Sequence, residues 1–122
     1  MKVLLLDGGA LVRERLAAII AAVHGVEVTT GESCAADIEA RILELHPDVV
    51  VLDVHAPRAM GLDLIRRLRS DPDRPVVIAL SSSSSFRYRV KCHEAGAAYY
   101  FNKVREEDRL VDAIVELSQE LP

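Results

Sequence analysis

Four widely separated residues carry side chains that could act together on a phosphorus centre: Asp7, Asp53, Ser81 and Lys103. A carboxylate such as Asp53 can attack phosphorus and form an acyl phosphate. A second carboxylate, Asp7, can help to hold Mg²⁺, a hard cation that favours oxygen ligands. Lys103 brings a point charge to a phosphoryl oxygen, and Ser81 offers a hydroxyl donor. Such a transfer rests mainly on positioning and charge neutralisation. Taken singly, each residue has a plainer reading. Asp53 can end a strand or cap a turn, Lys103 can be an ordinary surface lysine, and Ser81 can open a loop. Ser81 also begins a run of serines reaching Ser85, so Ser82 stays open as the hydroxyl donor.

The elements that must position these residues are legible as apolar runs. Val49-Val50-Val51-Leu52 is an unbroken run ending at Asp53, the pattern of a strand buried on both faces of a parallel sheet. Val3 to Leu6 is a second such run, ending at Asp7. Val76 to Leu80 runs into Ser81, and Ala97 to Phe101 runs into Asn102-Lys103. Val26 to Thr30 is less apolar and is expected nearer an edge. Between the strands the period changes to that of helices. Leu11, Val12, Leu16, Ile19, Ile20 and Val23 share helical spacing, and Gly25 is a stop. Ser33 is expected to cap a helix that buries Ala35, Ile38, Ile42 and Leu45, with Pro47 after it. A third helix over 62–69 turns Leu64, Ile65 and Leu68 inward and Arg66, Arg67 and Arg69 outward. A fourth runs from Phe86 to Ala95, ended by Gly96. The last, from about Glu106 to Leu121, buries Leu110, Val111, Ile114, Leu117 and Leu121, with Glu106, Glu107 and Asp108 at its positive end.

Five βα units imply an α/β fold, a doubly wound parallel sheet with helices on both faces. The flavodoxin-like strand order 2-1-3-4-5 puts its switch point between the first and third strands. Asp7 and Asp53 then share one crevice, with Ser81 and Lys103 on the same rim.

Composition sets the bounds. The 122 residues fit one domain with a core of ordinary size. No apolar run approaches the roughly 18–20 residues of a membrane span. A net charge of −4 gives no reason to expect nucleic acid as a direct partner. Cys34 and Cys92 form no CxxC pair, which favours a reducing, cytoplasmic setting over a disulfide or zinc. His24, His46, His55 and His93 have no metal-ligand spacing and read as surface residues. Arg87, Arg89 and Lys91 read as a solvated or docking face.

Over essentially its whole length the chain resembles the receiver domains of two-component response regulators. The resemblance is carried by LLLDGGALVRERL, PDVVVLDVHAPRAMGLDLIRRLR, PVVIALS and EAGAAYYFNK. It implies that Asp53 is the phosphoacceptor, Ser81 the hydroxyl residue, Lys103 the lysine of the site and Tyr100 the aromatic switch. It further implies a Mg²⁺ held by Asp7, Asp53 and the backbone carbonyl of His55. The donor would be a histidine kinase or phosphotransfer protein. The fourth helix, fifth strand and fifth helix would form the surface for a downstream protein, or for a second copy in a homodimer. The domain is expected to span 1–122, alone or as a piece of a longer regulator, and not to be an enzyme.

Three departures qualify this. Gly8 stands where the family has its second acidic residue, usually the direct metal ligand, so the metal end of the pocket is weakened. Met60 replaces a frequently polar loop residue, and Val104 replaces the proline that often follows the lysine. Two alternatives therefore stand beside a phosphoaccepting receiver. One is a degenerate receiver that only binds proteins. The other is a small-ligand flavodoxin-like domain, recommended by Gly8-Gly9 and Asp53-Val54-His55 but lacking a full glycine fingerprint.

Overall fold

The computed structural model describes residues 1–31, 37–54, 61–83 and 85–121. The strands are β1 (Lys2–Leu6), β2 (Glu27–Gly31), β3 (Val49–Asp53), β4 (Val76–Ser81) and β5 (Tyr99–Asn102). The helices are α1 (Ala10–Ala21), α2 (Ile38–Leu45), α3 (Gly61–Arg69), α4 (Phe86–Ala95) and α5 (Glu107–Glu120). The strands form one parallel sheet in the order β2-β1-β3-β4-β5, the flavodoxin-like order.

Alternation along the strands builds two cores, because successive side chains point to opposite faces. Leu4, Leu6, Val50, Leu52, Val77 and Ala79 face one way, onto Ile42 of α2, Leu64, Ile65 and Leu68 of α3, and Cys92 and Ala95 of α4. Val3, Leu5, Val49, Val51, Ile78 and Leu80 face the other way, onto Leu16 and Ile20 of α1 and Leu110, Ile114 and Leu117 of α5. Every residue of β3 is buried, as its unbroken apolar run requires, whereas β2 is only partly covered at the sheet edge.

Helix ends follow local chemistry. Ser85 caps α4, its Oγ accepting from Tyr88 N–H. At the other end Gly96, at φ 128°, lets its own N–H and that of Ala97 reach the carbonyl of Cys92. This explains why β5 starts at Tyr99 rather than at Ala97: the Ala97 N–H closes the helix and cannot join the ladder. Arg69 covers Gly96 and donates to the Glu94 carbonyl at 2.7 Å, where the C-terminal end of a helix favours a cation. The α2 helix ends at His46 in the left-handed conformation, with Pro47 behind it. The expected cap Ser33 and the apolar Ala35 lie outside the described residues.

Leu11 departs from the expected apolar stripe and is 84% exposed. It sits in the first turn of α1, beyond the strand ends, where no sheet lies beneath it. On α5, Leu110, Ile114 and Leu117 are buried as expected, joined by Ala113, while Val111 is only partly covered.

Candidate functional site

The register delivers the site. Leu6 pairs with Leu52, so Asp7 and Asp53 emerge side by side where the strand order reverses. Ser81 pairs with Asn102, and the ladder continues with Lys103 N–H donating to the Ser81 carbonyl at 2.9 Å. Residues far apart in sequence therefore meet because four parallel strands end level.

Asp7, Asp53 and Ser81 are all buried. Lys103 lies between the two carboxylates. Its Nζ donates to Asp53 Oδ2 at 2.9 Å and to Asp7 Oδ2 at 3.2 Å. Burial by itself would lower the lysine pKa. The hydrogen bond and charge of Asp53, and the charge and hydrogen bond of Asp7, outweigh burial and raise it above the ordinary lysine value. Lys103 is thus a fixed cation at neutral pH, able to compensate two buried anions or to meet an incoming one.

The loop after β1 is built on Asp7. Its Oδ1 accepts from Gly9 N–H at 2.8 Å, and its carbonyl accepts from Arg13 at 2.8 Å. Gly8 is exposed and its φ is not in the left-handed region, so no backbone strain demands glycine there. Ser81 Oγ accepts from Ser83 N–H at 2.9 Å, whereas Ser82 is exposed. Ser81 is therefore the serine at the buried strand end. His55, Pro57 and Met60 lie outside the described residues. Behind the rim Tyr100 is buried, its hydroxyl donating to the Ser83 carbonyl at 2.8 Å. The peptide bond between Lys103 and Val104 is trans.

Two residues shape the site without having stood out in the sequence. Asn102 Oδ1 accepts from the N–H groups of Val104 and Arg105, at 3.0 and 2.9 Å, folding the loop that carries Lys103. An Asn beside the lysine was the only signal available. Glu106, read as a dipole partner of the last helix, instead accepts the Asn102 N–H at 3.0 Å.

A hard cation fits two neighbouring carboxylates only if water completes its shell. Among the described residues no group of three or more His, Cys, Asp or Glu could hold a metal. Among the described residues the carboxylates at this rim are Asp7 and Asp53, and the Gly8 side chain adds none.

Comparison with known proteins agrees with this architecture. The profile of the response regulator receiver domain matches residues 3–115. The response regulator GacA of Pseudomonas aeruginosa is 36% identical over 116 residues, 93% of this chain and 53% of that protein. A protein-glutamate methylesterase/protein-glutamine glutaminase of Anaeromyxobacter dehalogenans is 38% identical over 108 residues, 86% of this chain and 29% of its own length. The chain thus spans about half the length, or less, of these curated relatives. Among solved structures, a LuxR-family two-component response regulator from Aurantimonas sp. superposes with a TM-score of 0.86 at 25% identity, over 98% of this chain and 85% of that one. With the profile covering nearly all of its length, this chain belongs to the response regulator receiver domain family.

Proposed function

We propose that this domain takes a phosphoryl group from a histidine kinase or phosphotransfer protein onto Asp53 and thereby changes a protein-binding surface. The observation that carries the reading is the buried Asp7–Lys103–Asp53 cluster at the switch point of the sheet. Asp53 is the nucleophile in this reading. Lys103, released from Asp53 when that carboxylate becomes an acyl phosphate, meets a phosphoryl oxygen. Ser81 donates its hydroxyl. Asp7 and Asp53, with the His55 carbonyl, would hold Mg²⁺, which when bound neutralises phosphoryl charge. The whole chain, 1–122, acts as one receiver unit in the cytoplasm and is not itself an enzyme. Its output is the α4–β5–α5 face, with Tyr100 as the moving part and a downstream protein or second copy as the partner, and without direct contact to nucleic acid or membrane. The activity attached to that output differs among the relatives, so it is not carried over.

Gly8 favours a second reading, a receiver that binds proteins without phosphorylation. One experiment separates the two. Mg²⁺ is titrated with and without beryllofluoride while backbone amides are followed by NMR. Saturable shifts at Asp7, Asp53 and Lys103 that spread to α4 and α5 are expected for the phosphoaccepting receiver. No shift with beryllofluoride, together with no mass increase on Asp53 after treatment with a small phosphodonor, leaves the second reading.

A further inference from the structure

The sheet has a second rim, at the opposite ends of the strands from Asp53. There α3 and α4 border a cleft of about 400 Å³ over the starts of β4 and β5. Small-molecule sites commonly enclose roughly 300–1,000 Å³ and set a few polar groups in an apolar lining. The apolar part here includes Ile65 and Leu68 of α3 and Val77 of β4, all buried. Three basic side chains line the same space: Arg69 at the end of α3, Arg74 in the turn before β4, and His93 on the last turn of α4. Each is anchored through one nitrogen to a main-chain carbonyl. Arg69 Nη1 donates to the Glu94 carbonyl at 2.7 Å, Arg74 Nη1 to that of Arg69 at 3.0 Å, and His93 Nδ1 to that of Ala97 at 2.9 Å. Arg66, Arg67 and Arg89 on the same two helices all have a carboxylate partner. Among the described residues neither Arg69 nor Arg74 has one.

The plainer role for such arginines is to cap the negative ends of two helices. Capping, however, is already complete. The Cys92 carbonyl accepts from Gly96 and Ala97, and the Leu68 carbonyl from Asp71. The Glu94 and Arg69 carbonyls take one nitrogen from each arginine. Asp71, the acid in the same turn, spends Oδ1 on the Asp73 N–H at 2.9 Å. A guanidinium carries five N–H donors, so most of those on Arg69 and Arg74 remain for another acceptor. We propose that this cleft binds a small organic anion: a carboxylate, phosphate or sulfonate group on an apolar, planar body. The body rests on Ile65, Leu68 and Val77, and the anionic group takes the remaining donors of the two arginines, whose planar forks suit such oxygens. His93, with Nδ1 committed to a carbonyl, offers Nε2 to the same ligand. The cleft lies at the far end of the sheet from Asp53, so the proposal does not rest on phosphorylation there.

Naphthalenesulfonate is a suitable probe, because it joins a planar apolar body to a permanent anion and has no phosphoryl group to transfer. It is titrated into the isotope-labelled full chain while backbone amides are followed by NMR. Saturable shifts at Leu68, Gly96 and Ala98 are expected, with a dissociation constant below about 1 mM. Inorganic sulfate supplies the charge alone and naphthol the body alone, and each should bind roughly tenfold more weakly or worse. Arg74→Gln should weaken the probe roughly five- to tenfold, and Arg74→Lys, which keeps the charge but not the fork, should recover part of that. Arg69→Gln should weaken it at least as much. Arg69 also ties α3 to α4, so if that variant fails to fold, Arg74→Gln alone decides. Shifts that never saturate, or that centre on Asp7, Asp53 and Lys103, would overturn the proposal. Equal affinity for naphthol would reduce the cleft to an apolar groove and overturn the anion site, as would unchanged affinity in Arg74→Gln.

Discussion

Lys103 and Arg89 each hold acidic partners near the same strand end, but in different surroundings. Lys103 is nearly covered and touches two buried carboxylates. Arg89 and Glu106 are partly open to solvent. Water and salt screen the second pair but hardly reach the first. The buried cluster should therefore govern stability and chemistry. The exposed pair should tune a local equilibrium and contribute little to the whole, as half-exposed pairs usually do.

The largest effect should come from breaking the buried cluster. Lys103→Met removes the cation that bridges Asp7 and Asp53, which should cost about 3–5 kcal/mol. That corresponds to a melting temperature lower by roughly 10–20 °C, measured by calorimetry. Adding Asp53→Asn to Lys103→Met should recover part of the loss, because one buried anion is removed; strict additivity would mean that the two side chains do not interact. The sign with pH follows from the raised lysine pKa. Stability from Lys103 is fully present below the unfolded lysine value of about 10.4 and is lost as pH rises through the higher folded value. Melts of wild type and Lys103→Met should converge only in that alkaline range.

Next in size is a packing change at the same strand end. A Cβ on Gly61 would stand 2.9 Å from Val54 Cα, a backbone atom that cannot rotate away. Gly61→Ala should cost about 1–3 kcal/mol by overpacking, read as a lower denaturant midpoint at unchanged slope. A value near zero would show that α3 shifts freely against β3.

A smaller effect is expected at Gly8. Gly8→Asp adds a third anion to the rim, so the metal-free protein should lose on the order of 1 kcal/mol of stability through like-charge repulsion. Mg²⁺ should bind more tightly, measured by isothermal titration, and labelling of Asp53 should quicken. Because Gly8 is not in the left-handed region, the stability loss should shrink when Mg²⁺ is added. A loss unaffected by Mg²⁺ would place the new carboxylate away from the site.

The smallest global effect belongs to the exposed pair. Arg89→Met should change overall stability by about 1 kcal/mol or less, and raised salt should erase most of the difference. A loss as large as that of Lys103→Met would remove the contrast between the two cations.

The strand runs and their terminal residues needed no structure. Unbroken apolar strands alternating with helical periods imply one parallel sheet, because each crossover must return over a face. Asp7, Asp53, Ser81 and Lys103 were legible for the same reason: a polar residue that interrupts an apolar strand marks the strand's end. The helix limits set by Pro47 and Gly96 were equally local. Pairing partners were not legible, since pairing depends on the register between strands. Only the tertiary structure put Lys103 between both carboxylates, gave Asn102 Oδ1 to two loop N–H groups, moved Glu106 from a helix dipole to a strand end, and seated Arg89 on Tyr100. It also turned Leu11 outward, because periodicity reports a helix face but not whether a sheet lies beneath it. Sequence alone determines where backbone conformation and burial change along the chain; which side chains then meet is decided by distances that close only when the strands align.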